Sequence, residues 1–134
     1  MYASDKKAVV DALRMAGVSP TSQRVEIAYH LYNRQEHLSA DQILEGVNGD
    51  YPAVSRGTVY NALNLLVEKG LVRELIAAPG KVFYDPNTHP HHHIFYVDQG
   101  VLMDLPAEMV QVKNIPVPEG CEIEQIDVVV RVRG

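Results

Sequence analysis

A single cysteine, Cys121, among 134 residues excludes an internal disulfide and any zinc site built on Cys-x-x-Cys pairs. Metal chemistry in this chain must therefore draw on histidine and carboxylate. No apolar run approaches the roughly 20 residues of a membrane span, and no signal-peptide pattern occupies Met1 to Asp11. A cytoplasmic protein without a membrane partner is expected. Nucleophile and general-base motifs are missing as well, which argues against an enzyme. The remote alternative, a histidine and carboxylate metalloenzyme, would need an open coordination position and a substrate pocket.

Charge is modest and unevenly placed. Charged residues make up 22% of the chain and apolar ones 46%, enough for a core and against disorder. The length allows one large domain or two small ones. The net charge of -5 disfavours a nucleic-acid partner until the chain is divided: residues 1–84 hold nine Lys/Arg and nine Asp/Glu, residues 85–134 three against eight. Two modules follow, the first neutral overall and able to present a local basic face.

Four of the six histidines fall between Asp85 and Leu105. Ile94 to Val97 run into Asp98-Gln99-Gly100, a turn signal, and Val101-Leu102-Met103 resumes the apolar run, so a β-hairpin is expected. Alternation puts His91, His93 and Phe95 on one face and His92 with Ile94 on the other. A two-residue loop at Gln99-Gly100, the commoner reading, or a four-residue loop at Asp98 to Val101 pairs Phe95 with Asp104. That carboxylate then joins the His91/His93 face. A three-residue loop pairs Ile94 with Asp104 and sends it to the other side. Two imidazoles and a carboxylate together suit Fe(II), Mn(II) or Zn(II). A solvated loop is the competing reading of three adjacent histidines.

In the first module, Val9, Val10, Leu13 and Ala16 recur at helical spacing before Gly17. Ser19-Pro20-Thr21 offers caps for a second helix through Val25, Ala28, Leu31 and Tyr32. Ser39-Ala40-Asp41-Gln42 is a capping box for a third, ending near Asn48-Gly49. Ser55 can cap a fourth, whose apolar stripe is Val59, Ala62, Leu63, Leu66 and Val67 before Lys69-Gly70. Its opposite face shows Arg56, Thr58, Tyr60, Asn61 and Asn64, donors for phosphates and base edges near a helix N-terminus. Leu71 to Ile76 and Lys81 to Tyr84 read as two strands, completing a winged helix with Lys81 on the wing. The same polar residues could simply solvate a surface helix, and many winged helices bind protein.

After Asp104, Pro106 to Lys113 is expected as a short helix, with Pro116 and Pro118 breaking any extension. Ile126, Val128, Val130 and Val132 alternate with Asp127, Arg131 and Arg133 as a final strand. So short a sheet calls for a partner at its edge, and a twofold homodimer is expected. The fold class is α+β: a winged-helix DNA-binding domain over 1–84 and a small α/β metal-binding and dimerisation domain over 85–134.

Thr21-Ser22-Gln23-Arg24, His37-Leu38-Ser39-Ala40-Asp41, Thr58-Val59-Tyr60-Asn61-Ala62-Leu63 and the His-rich hairpin stand in the order and spacing of one family. Over nearly its whole length the chain resembles the ferric uptake regulators, metal-dependent bacterial transcription regulators. The resemblance to the peroxide-sensing, PerR-like branch implies a regulatory metal on His37, Asp85, His91, His93 and Asp104; His37 and Asp85 come from that resemblance alone. Two recognition helices in the expected dimer would meet two half-sites of a palindromic operator in double-stranded DNA, with Arg24, Arg56, Thr58, Tyr60, Asn61, Asn64 and Lys81 as candidate contacts. The ion is expected to be Fe(II) or Mn(II), with Zn(II) as an ion carried on purification.

The chain is also similar to iron response regulators of the Irr branch. The similarity lies in His91-His92-His93, the lack of cysteine pairs, and the tail Pro118 to Ile123 with Ile126 to Arg131. There the triplet is associated with haem, so His91, His92 and His93 are candidate haem ligands, although the amino-terminal Cys-Pro haem motif of some members is absent. The family's four-cysteine structural zinc is excluded, and Gln125 and Ile126 replace a further histidine ligand on the last strand. The expected device is a metal-gated repressor of iron, haem or oxidative-stress genes. Its alternatives are an Fe(II)-dependent peroxide sensor and a haem sensor. His37 would link the DNA-binding module to the hairpin ligands, and binding should weaken on acidification because the donors must be deprotonated.

Overall fold

The first four N–H groups of a helix need acceptors from outside it, and short polar side chains supply them throughout the first part of this chain. The computed structural model describes residues 5–34, 37–49 and 54–134, which include every candidate site residue. In it, α1 (Lys6–Met15) starts at Asp5, whose carboxylate accepts from Ala8 N at 2.7 Å. α2 (Ser22–Arg34) follows Thr21, whose hydroxyl accepts from Arg24 N at 3.3 Å. α3 (Ala40–Val47) has the reciprocal box: Ser39 Oγ accepts from Gln42 N at 3.1 Å and Gln42 Oε1 accepts from Ser39 N at 2.9 Å. α4 (Arg56–Glu68) begins at Ser55, whose Oγ accepts from Thr58 N at 3.2 Å.

The apolar faces of these helices meet in one core. Val9, Leu13, Ile27, Leu31, Ile43 and Leu63 are fully buried, and α4 contributes Val59, Ala62 and Leu66 beside Leu63 as its stripe required. β1 (Arg73–Ala78) and β2 (Lys81–Asp85) then form an antiparallel hairpin with Leu75 opposite Phe83, turned by Gly80 at φ 72°. Four helices followed by this hairpin are a winged helix. β2 runs one residue beyond Tyr84, and the first compact unit ends at Thr88.

The second unit, His89–Gly134, is a three-stranded sheet in the order β4-β3-β5. β3 (His91–Tyr96) pairs antiparallel with β4 (Val101–Pro106) and parallel with β5 (Val129–Val132). The hairpin register differs from the expected one by two residues: His93, not Phe95, faces Asp104, and Phe95 faces Leu102. The cause is a four-residue loop, Val97 to Gly100, closed by Gly100 N donating to Tyr96 O at 2.8 Å with Gly100 at φ 68°. Because the shift is even, Asp104 keeps the His91/His93 face.

Two further expectations shrink. The helix expected over Pro106 to Lys113 is a single 3-10 turn, Ala107–Met109, since β-branched Val110 and Val112 disfavour its continuation. The last strand starts at Val129 rather than Ile126. No helix among the described residues is long and apolar enough to cross a membrane.

Candidate metal centre and nucleic-acid face

Pleating puts His91 and His93 on one face of β3, and the cross-strand position of Asp104 brings a carboxylate to them. Asp104 Oδ1 lies 3.3 Å from His91 Nε2 and 3.6 Å from His93 Nε2. The two rings meet edge-on, with centroids 4.5 Å apart and planes at 62°. His91 Nδ1 lies 2.6 Å from the His89 carbonyl, so Nδ1 carries the proton and Nε2 keeps its lone pair toward the site. Both histidines are buried, whereas the Asp104 side chain is 54% exposed. Two nitrogens and one oxygen make a donor set of intermediate hardness that fits Fe(II), Mn(II) or Zn(II) and leaves coordination positions open.

The first unit holds a second, smaller set. A backbone bridge joins Leu38 and Tyr84, Leu38 N donating to Tyr84 O at 3.3 Å and Tyr84 N to Leu38 O at 2.8 Å. This clip fixes the neighbours of both residues: His37 Nε2 lies 3.0 Å from Asp85 Oδ2, both side chains nearly buried. The other oxygen, Asp85 Oδ1, accepts from Asn87 N at 2.9 Å. Tyr84 is itself buried, and that burial, with Glu74 across the hairpin and Tyr60 on α4, pushes its phenol above the usual tyrosine range.

The triplet does not present one surface. His92 lies on the opposite face of β3, and its Nδ1 accepts from Val128 N at 3.1 Å. The backbone roles of His89 and Asn87 were not foreseeable, because a carbonyl or an amide carries no residue-type signal.

The candidate nucleic-acid face is built on α4. Arg56, Tyr60, Asn61 and Asn64 are exposed on the side away from the core, and Lys81 is exposed at the start of β2. Thr58 is half-buried, and its hydroxyl lies 3.0 Å from Ser55 Oγ, so it serves the cap. A cavity of about 320 Å³ lined by Thr21, Gln23, Arg24, Thr58, Asn61 and Ala62 brings Arg24 beside the α4 candidates Thr58 and Asn61. There the Arg24 guanidinium donates to Ser19 O at 3.1 Å. Arg56 is paired with Asp41 of α3, an exposed contact that depends on how the two helices pack and so escaped the sequence.

Residues 15–131 match the model of the ferric uptake regulator family. The peroxide-responsive repressor PerR of Staphylococcus aureus (strain USA300) is 36% identical over 95 residues, 71% of this chain; the match spans 64% of that protein's length, less than two thirds. Among solved structures, the ferric uptake regulator of Pseudomonas aeruginosa with manganese aligns at TM-score 0.70 and 25% identity, covering 92% of this chain and 96% of that one. The peroxide stress regulator of Campylobacter jejuni aligns at TM-score 0.63 and 23% identity, over 96% and 94% of the two chains.

Proposed function

Since the chain belongs to the ferric uptake regulator family, we propose that it is a metal-responsive, DNA-binding transcriptional repressor of iron, haem or oxidative-stress genes, working as a homodimer in the cytoplasm. The observation that carries this reading is the convergence of His91 and His93 Nε2 on Asp104 Oδ1. His37 and Asp85 form a pair too small to hold a transition metal alone, while the β3–β4 set leaves positions open. On this reading His37 and Asp85 together with His91, His93 and Asp104 would hold one Fe(II) or Mn(II) ion, whose positive charge would stabilise the ionised carboxylates. The ion would bind the conformer in which both sets are in reach, so it shifts the population toward one placement of the two units. In a dimer, that placement sets the spacing of two α4 helices on a palindromic operator.

The DNA contacts proposed are Arg56, Tyr60, Asn61 and Asn64 on α4, with Thr58 at its cap, Arg24 at the neighbouring cavity and Lys81 on the wing. Arg24, Arg56 and Lys81 supply phosphate contacts, while the amides of Asn61 and Asn64 suit base edges.

A second reading, the Fe(II)-dependent peroxide sensor, is favoured by Asp104 and by the similarity to PerR. In it, peroxide oxidises a ligand histidine on the loaded protein and DNA is released. Haem at the triplet is disfavoured because His92 faces away from His91 and His93.

The test is duplex binding by protein stripped of metal and then supplied anaerobically with Mn(II), Fe(II) or haem, followed by a peroxide pulse. Tight binding that appears with Mn(II) or Fe(II) is the expected result. Loss on peroxide for the Fe(II) form alone selects the peroxide sensor; release by haem selects the haem sensor. Duplex binding indifferent to every metal contradicts the reading.

A further inference from the structure

One member of the histidine triplet belongs to neither donor set. His92 is buried, 9% exposed, and its Nδ1 accepts from the Val128 amide at 3.1 Å. One residue along β3, His93 N donates to Val128 O, also at 3.1 Å. Val128 is therefore gripped at both its N–H and its C=O by consecutive residues of the same strand. It stands immediately before β5, whose parallel pairing with β3 runs from His93↔Val129 to Tyr96↔Val132.

The position matters because β5 is a short edge strand. It has four residues and is reached through a long segment with no regular secondary structure after Met109. Parallel pairing is the weaker kind per residue, and a slip of one residue would turn Val130 and Val132 to the opposite face. A specific acceptor at the entry to the strand opposes that slip. At the far end, Val97 N donates to Val132 O at 3.0 Å and Gly134 N to Asp98 Oδ2 at 3.1 Å, so β5 is pinned at both ends.

We propose that His92 is a positioning residue: an acceptor clasp that sets the start and register of β5 on β3, and not a ligand for metal or haem. A neutral imidazole has one N–H and one lone pair on its two nitrogens. With the Nδ1 lone pair engaged by Val128, the proton sits on Nε2, and neither nitrogen has a lone pair to offer a metal. Describing β3 as the metal-bearing strand rests on the function proposed above; the clasp itself does not.

The test separates the two and is made on the full, metal-free chain. Long-range ¹H–¹⁵N spectra of the wild type should show His92 with Nδ1 unprotonated and Nε2 protonated. Amide exchange at Val128 should be slow in the wild type and in His92→Asn, whose side-chain oxygen falls near the place of Nδ1. In His92→Ala it should quicken by about tenfold, the factor an ordinary hydrogen bond contributes, while the core amides of Leu31 and Leu63 keep their rates. Haem and Mn(II) titrations of His92→Asn should match the wild type. A protonated Nδ1, unchanged exchange at Val128 in His92→Ala, or loss of Mn(II) or haem binding in His92→Asn would overturn the assignment; the tautomer result stands even if the alanine variant fails to fold.

Discussion

Between Val9 and Tyr84 the first unit gathers apolar side chains from all four helices and the hairpin into one core cluster. In His89–Gly134 the buried apolar residues are Phe95 and Leu102, and the other buried positions of β3 are the three histidines. Meanwhile Val101, Met103, Met109, Ile123 and Val130 stand 42% to 70% exposed. The contrast separates two ways of holding a fold. The first unit rests on hydrophobic burial and capped helices. The second has given three of its five buried positions to imidazoles, so it buries little apolar surface of its own, and the metal and second copy of the chain proposed above would each add to its stability.

The largest expected effect lies in the first unit. Leu63→Ala or Leu31→Ala should lose about 2–5 kcal/mol in urea unfolding, while Met103→Ala should stay within about 0.5 kcal/mol in the monomer. Equal losses would erase the contrast.

Gly46→Ala comes next. A Cβ at Gly46 would lie 2.1 Å from two ring atoms of His30, so a side chain added there must displace the His30 ring. Overpacking of this kind costs about 1–3 kcal/mol, against a gain of roughly 1 kcal/mol in helix propensity. Unfolding of Gly46→Ala should therefore show between no net change and a loss of about 2 kcal/mol, and any loss should shrink when His30→Ala is added to the same chain.

His30 also gives a pH signature to the first unit. Burial, and then Arg34, hold its pKa below 6.5. As pH falls through 6.5 the unfolded chain takes up the proton before the folded one does. The stability tied to neutral His30 is thus complete above 6.5 and is lost as pH drops toward the lowered folded value. Urea midpoints of metal-free protein should fall with acidification more steeply in the wild type than in His30→Gln; parallel curves would remove His30 from the account.

The smallest stability effect is expected at the exposed Asp41–Arg56 pair, within about 1 kcal/mol for either partner. Its effect on DNA should be clearer. Arg56→Gln should weaken duplex binding and lower the salt slope by about 1, whereas Asp41→Asn, which removes a negative charge beside Arg56, should strengthen it at low salt. Identical behaviour of both variants would take α4's first turn out of the interface.

What was legible in the sequence follows the same division. Caps and stripes are local, so Ser39 with Gln42, Ser55, and the Val59 to Leu66 face could be read directly. Alternation was also local and put His91 with His93; Asp104 joined them only on the loops of even length, the two-residue one being the commoner reading, and it does so although the register is two residues off. The offset arose because Gly100 fits loops of several lengths. Contacts that depend on helix packing, Arg56 with Asp41 and His30 over Gly46, left no pattern in the order of residues. The His37–Asp85 pair came only from family resemblance, since a backbone bridge between Leu38 and Tyr84 creates it.

In the function proposed above, one ion would be held by donors from both units. The most direct test of this is an anaerobic Mn(II) titration of metal-stripped protein, followed by calorimetry or manganese resonance, in the wild type, His37→Ala and His93→Ala. One tight ion per chain is expected in the wild type, with affinity lower by about tenfold or more in each variant, about 1.4 kcal/mol or more. If His37→Ala takes up Mn(II) as tightly as the wild type, the β3–β4 set holds the ion alone and the link between the units does not pass through the metal.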